Sequence, residues 1–347
     1  MKKLNVLLIL LTLLPVGLSA RTTYRAEKTI ERTYPASDKH TLSIDSKFGN
    51  INVETWDKNE VSVIVTIVGE SARSQKSADY FLDRVTINSR ASGSTISFST
   101  SLSDNRQNVK GGNSITYNVK VPRNISFVLS NKYGNITVDE CGGKADVDVK
   151  YGNFYCPLLK GRTASLELGY GRAHIGKAQT LDAEVEYSTV IIGKVERLML
   201  DSKYTTYEIE DAKVAIADSK YDKFDIEKAG RLKIETAYTD IQIGMVEEAV
   251  DVKNKYGGVQ VKNVGTNAKR MNFDLSFTQL KVNINPKVTC SLNANITYGK
   301  LTIPEGGTRI QPNSKGAYAV SNLTIGNGTP TLIVKVTNRY ANVEITK

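Results

Sequence analysis

The sequence predicts an all-β solenoid with two short strands per coil and an irregular cap at its N-terminal end. Three observations carry that expectation. The tetrapeptide Asp201-Ser202-Lys203-Tyr204 returns 17 residues later as Asp218-Ser219-Lys220-Tyr221. An aromatic residue with apolar residues three and five places on recurs through the chain, as in Tyr133 with Ile136 and Val138, Tyr187 with Val190 and Ile192, or Tyr238 with Ile241 and Ile243. Successive aromatics from Tyr133 to Tyr298 lie 17 to 21 residues apart, through Tyr151, Tyr170, Tyr187, Tyr204, Tyr221, Tyr238, Tyr256 and Phe277. A period of that length with apolar and polar residues alternating marks stacked β units, each too small to bury a face alone.

Each unit reads as two strands. A second alternating run precedes each aromatic, as in Ala145, Val147 and Val149, or Val250 and Val252, and period-two alternation turns one face of both runs inward. The parity breaks at the Tyr-Gly or Tyr-Thr pair, which suggests a corner. Gly134, Gly152, Gly171, Gly257 and Gly299 suit that corner because glycine tolerates positive φ. The ring shares parity with the inward residues before it, so it should be at least partly buried, in a ladder that stiffens the corner.

Taken in order, Met1 to Ala20 reads as a secretory signal peptide: Lys2 and Lys3, an apolar run from Leu4 to Leu14, and Leu18-Ser19-Ala20 as cleavage site. That apolar run is shorter than the ~20 residues that span a bilayer, and no later segment is apolar enough to cross one. Residues 21–125 form an N-terminal β region that caps the solenoid and contains the first coils, Phe48 with Ile51 and Val53 being an early copy of the repeat. Within it 42–56, 61–68, 95–100 and 115–121 alternate as strands, 74–84 could form one short helix, and Ser103 to Asn113 is an exposed loop. Residues 126–347 are the repeat solenoid. The 42 residues from Tyr298 to Tyr340 make two units, and the chain stops on a repeat with no separate sorting domain. Cys141, Cys156 and Cys290 are an odd number for an oxidising compartment. Cys156 occupies a core position, Cys290 is most simply a buried thiol, and a Cys141 to Cys156 disulfide is disfavoured because the two occupy different positions of their units.

The stretch Trp56-Asp57-Lys58-Asn59-Glu60-Val61, the strand Tyr117-Asn118-Val119-Lys120-Val121-Pro122 and the Tyr-Gly-x-Ile-x-Val repeats resemble the putative-adhesin families of unknown function common in Bacteroidota, some labelled as carrying an autotransporter-adhesin head domain. The resemblance covers most of the chain after Ala20. It implies a right-handed, pectate-lyase-like β-helix at the cell envelope, a role in cell adhesion and no shared catalytic set. Members of those families often turn at Gly-Ser-Gly corners, whereas the corners here carry tyrosine.

Charge is the most informative surface feature. One place before the aromatic stand Lys132, Lys150, Lys203, Lys220 and Lys255, and three places before it Asp148, Asp201 and Asp218, each in a longer row. Outward parity should align them into two ladders. Like neighbours ~5 Å apart in water repel by about 0.8 kcal/mol, and an opposite charge ~6 to 7 Å along the strand returns about 0.6. The rows therefore roughly neutralise each other. They read either as solvated ladders that hold register or as a candidate binding strip for a polysaccharide.

Residues 1–138 carry 18 basic and 11 acidic side chains, 139–249 carry 15 and 21, and 250–347 carry 13 and 4. The basic ends suit acidic glycans, phosphorylated lipid headgroups or another envelope protein through a salt-sensitive attraction, rather than nucleic acid. Chemistry is poorly supported. His40 and His174 sit in unrelated settings, the glycines are single and periodic rather than phosphate-binding loops, and acid pairs such as Asp201 with Asp218 recur on every coil. No catalytic, metal or cofactor residue is assigned. The expectation is an exported, non-catalytic interaction protein of the periplasm or cell surface, of the adhesin type. The alternatives are a carbohydrate-active lyase or hydrolase on the same scaffold and an envelope-stress or assembly accessory.

Overall fold

The structure is a computed structural model that describes residues 23–103, 110–304, 313 and 316–347. The leader read at Met1 to Ala20 and most of the loop read at Ser103 to Asn113 lie outside the described residues. Gly112 and Asn113 open a strand, Gly112–Pro122, instead of extending that loop.

Alternation turns into burial at once. Strand Thr206–Lys220 points Tyr207, Ile209, Ala212, Ala215, Ala217 and Ser219 inward and its charged residues outward. It pairs in parallel with Thr189–Lys203 on one side and Lys223–Ala237 on the other, each residue facing its counterpart 17 places away, as Asp201 faces Asp218. Each coil therefore rests on the next, and the apolar positions form continuous inner rows, each fully buried Leu, Ile, Val or Phe worth roughly 1.5–3 kcal/mol. The two expected strands are separate in the early coils, Ala145–Lys150 and Asn153–Leu159. In the middle coils the connecting segment joins the ladder too, giving strands such as Arg172–Glu186 that run from one corner to the next. Inward steps of three, Ile175 to Ala178 and Ala178 to Leu181, mark where such a strand bends around the core. Packing volume is balanced within coils. Tyr207 and Phe224 stack inside the core at 4.9 Å, and the Tyr207 coil makes room with Ala212, Ala215 and Ala217.

Both ends depart from simple order. The early copy, strands Thr41–Lys47 and Ile51–Trp56, lies between the later strands Thr95–Leu102 and Gly112–Pro122 and the coil that begins at Ser126. The last copy, Leu332–Arg339 and Val343–Thr346, lies between Arg270–Ile284 and the coil of Cys290–Thr297 and Leu301–Thr302. Tyr298 and Tyr340 are thus neighbours in the stack, not two units apart. The outermost ladders are closed by antiparallel strands: Val85–Ser92, and Glu60–Ser71 with Tyr24–Pro35, at one end, and Ala317–Ile325 at the other. Such strands cover backbone groups that an open solenoid end would expose. The expected helix is present as Gln75–Asp83, with Ser74 capping it by accepting from the Ser77 N–H and with Ala78 and Phe81 buried. All three cysteines are buried free thiols.

Candidate functional site: one corner and its two flanks

At the corner the aromatic itself takes the left-handed conformation. Phe48, Tyr133, Tyr204, Tyr221, Tyr298 and the other reference aromatics have φ between 49° and 66°. This corrects the expectation that glycine supplies positive φ there. Among the five glycines named for the corner, Gly257 alone has positive φ. The corner glycines serve a different need: a Cβ at Gly134 would lie 1.6 Å from the Gly49 carbonyl oxygen, and one at Gly152 1.8 Å from that of Gly134. They allow corners to nest.

Positive φ throws each ring outward. Phe48, Tyr133, Tyr151, Tyr170, Tyr187, Tyr204, Tyr221, Tyr238, Tyr256, Phe277, Tyr340 and Tyr298 form one stack in that spatial order, with centroids 4.7–5.2 Å apart and planes within 16°. At one strand spacing per rung the stack runs roughly 50 Å. Tyr204 is 46% exposed; what the rings bury is each other's faces rather than core. A sugar therefore finds ring edges and hydroxyls along this ridge, not open faces.

Inside the corner, the residue after the aromatic changes from glycine to Ser188, Thr205, Asp222 and Thr239. These side chains are buried and bond to backbone groups and to the hydroxyls of the strand before the corner. Ser202 donates to Asp222 Oδ2 at 2.6 Å, the Thr205 N–H to Asp222 Oδ1 at 2.7 Å, and Thr236 to Thr239 at 2.7 Å. Burial pushes the Asp222 carboxyl up to about 6, against the opposing hydrogen bonds from Ser202, Thr205 and Ser219.

On the flank that precedes the aromatic, the predicted rows are in register. Asp148, Glu167, Glu184, Asp201, Asp218 and Glu235 occupy consecutive strands. The basic row is broken, because Gly169, Glu186 and Ala237 replace lysine. Lys203 pairs with Glu186 of the neighbouring coil at 2.6 Å, which raises its pKa. Lys150 approaches Asp148 on its own strand at 3.9 Å. Lys132 and Lys255 lie over the rings of Tyr133 and Tyr256 at 5.1 and 5.3 Å. Asp201 faces Asp218, and Lys203 faces Lys220, in the register of the two strands.

The other flank, which follows the aromatic, carries a feature separate from the two rows. Three hollows of about 360, 470 and 380 Å³ lie on consecutive coils. The first and second share Lys223, and the second and third share Gln260 and Lys281, so they form one shallow trough. Its polar lining comes from the second, fourth and sixth residues after the aromatics, which alternation points outward. The first hollow is acidic, with Glu208, Glu210, Asp225 and Glu227. The second carries Gln242, Gln260 and Gln279 with Lys223, Asp240 and Lys281. In the third, Lys281 stands 3.6 Å from Glu344 of the inserted last coil. A signal existed in the sequence: from Tyr204 onward these outward positions collect glutamine and charged residues, Glu208, Asp225, Gln242, Gln260, Gln279 and Lys281 among them.

His174 lines the first hollow and meets the Tyr155 ring edge-on at 5.4 Å, while His40 accepts from the Ser37 N–H at 3.1 Å. Among the described residues no group of three or more His, Cys, Asp and Glu side chains converges closely enough to hold a metal ion, and no helix is long and apolar enough to cross a membrane.

Neither the scan of protein-family models nor the comparison with curated proteins gives a match. Solved structures similar to this chain include a putative adhesin from Bacteroides fragilis, 13% identical over 74% of this chain and 97% of that one with a TM-score of 0.37. A putative lipid binding protein from Parabacteroides distasonis is 10% identical over 90% and 96% at a TM-score of 0.31. A putative adhesin from the same species is 11% identical over 91% and 97% at 0.23. At these identities and scores the neighbours do not say what this chain binds.

Proposed function

We propose that the chain is an exported, non-catalytic interaction protein of the cell envelope, of the adhesin type. The observation that carries this reading is the trough, an open and polar surface that crosses several coils and whose residues vary while the core beneath them repeats. An extended surface of this kind suits an extended partner. Rigid coils support it, since every rung is fixed by its neighbours through backbone hydrogen bonds and the backbone of the binding surface need not be ordered on contact. The basic ends of the chain add a salt-sensitive attraction for acidic glycans, phosphorylated headgroups or an acidic envelope protein. The test is attachment of a deletion strain to surfaces and immobilised glycans. Loss of attachment, restored by the wild-type gene, supports the reading, and attachment equal to the parent's overturns it. Shortening of a polysaccharide by purified protein would instead favour a lyase or hydrolase.

A further inference from the structure

We infer that the middle of the trough binds an uncharged glycan chain laid along the solenoid axis, an inference that rests on the interaction reading above and names its ligand class.

Gln242, Gln260 and Gln279 line this hollow from successive coils. Register places Gln242 beside Asp225, Gly258 beside Gln279, and Gln260 beside Lys281. None of the three side-chain amides has a hydrogen-bond partner among the described residues. An amide offers two donors and a carbonyl acceptor, the combination that matches a pair of neighbouring sugar hydroxyls. Lys223, unpaired as well, and Asp240, one of whose oxygens already accepts from the Gly258 N–H at 2.8 Å, add a donor and an acceptor. Gly258 has no side chain to fill the floor, so a ring can approach the backbone there.

Spacing and charge narrow the ligand. Coils advance by about 4.8 Å, a length comparable to one pyranose of an extended chain, so successive sugars can meet successive coils. The hollow next to the amides presents Glu208, Glu210, Asp225 and Glu227, which repel a polyanion that tries to continue along the trough. The amide segment offers no cluster of one sign to hold a charged ligand. A polymer of hydroxyl groups without charge meets neither obstacle. The lysine and aspartate rows lie on the far side of the aromatic ridge and take no part.

The experiment is affinity electrophoresis of the purified chain through gels containing xyloglucan, hydroxyethylcellulose, mannan or a β-1,3-glucan, with polygalacturonate as the anionic probe, followed by titration calorimetry on any polymer that retards it. At least one neutral polymer should retard the chain, with little change between about 50 mM and about 500 mM salt. The triple variant Gln242→Ala, Gln260→Ala, Gln279→Ala should weaken binding by about tenfold or more, while Lys132→Ala with Lys220→Ala should leave it unchanged. Both variants alter exposed or half-exposed side chains and should melt with the wild type. Retardation by polygalacturonate alone, binding that the glutamine variant leaves intact, or no binding to any neutral polymer overturns the inference. The last result, in a chain whose deletion still abolishes attachment, removes the ligand class and leaves the interaction reading in place. Trough-dependent glycan binding in a chain whose deletion changes nothing does the reverse.

Discussion

Tyr204 and Tyr221 stack with centroids 4.9 Å apart and planes 2° from parallel, each held at positive φ, 54° and 59°. A left-handed backbone costs a residue with a Cβ roughly 1–2 kcal/mol, and a stacked aromatic pair returns about 0.5–1.5 kcal/mol beyond its buried area. Repeated along the ridge, strain and stacking nearly cancel, and the corner conformation is kept because the backbone ladder requires it. Tyr221→Ala keeps the strain and loses both stacks, so it should destabilise by about 2–3 kcal/mol. Tyr221→Gly loses the stacks but relieves the strain, and should cost about 1 kcal/mol less. Calorimetric melting of the two variants checks the order; an alanine variant more stable than the glycine variant would contradict this account of the corner.

Glycine at the nesting position is a matter of space. Gly152→Ala would set a Cβ 1.8 Å from a backbone oxygen of the coil beside it, whereas at Gly169 the nearest atom is the flexible Lys150 side chain at 3.8 Å. The first substitution should cost 3 kcal/mol or more, roughly, and the second should change stability by less than about 0.5 kcal/mol. Urea unfolding of both measures the contrast.

Asp222 gives the fold a pH dependence. Its carboxyl titrates at about 6 when folded, against ~3.9 in an unfolded chain. Between those values the folded chain holds a proton that the unfolded chain has lost, so stability falls as pH rises from about 4 to about 6 and stays lower above that, by at most about 3 kcal/mol. Asp222→Asn removes the buried charge while retaining an oxygen for the Thr205 N–H. It should melt above the wild type at pH 7.5, with a gap that closes by pH 4. A gap that widened on acidification would reverse the sign.

The buried thiols should be silent. Burial pushes Cys141 and Cys156 up to about 12, and thiolate rather than thiol reacts with alkylating reagents. Iodoacetamide at pH 8 should label neither in the folded chain and all three cysteines after unfolding, read by intact mass.

Much of this was legible before any coordinates. Tyr204 and Tyr221 share a tetrapeptide, and the distance between copies gave both the register and the charged rows. The left-handed φ at tyrosine was not legible, because aromatic side chains seldom occupy that region and glycine stood next to it as the ordinary choice. Nor was the position of Tyr340. A period reports which segments are alike, and only hydrogen bonding decides which of them are neighbours, so a chain that folds its last coil back inside looks in sequence like one that simply continues. The trough escaped for a related reason. Gln242, Gln260 and Gln279 stand at outward positions that the core repeat leaves free, and a search for regularity in the core passes over them.

The order of the coils is what places Glu344 beside Lys281 and so completes the trough, and short-range thiol cross-linking tests it most directly. Register sets Lys281 against Glu344, and Glu344 in turn against Thr302. A dithiol linker that reaches about one strand spacing, ~5 Å, should join the pair Lys281→Cys with Glu344→Cys and fail to join Lys281→Cys with Thr302→Cys. Efficient linkage of the second pair and none of the first would mean that the coils follow one another in sequence order, and would contradict the fold described above.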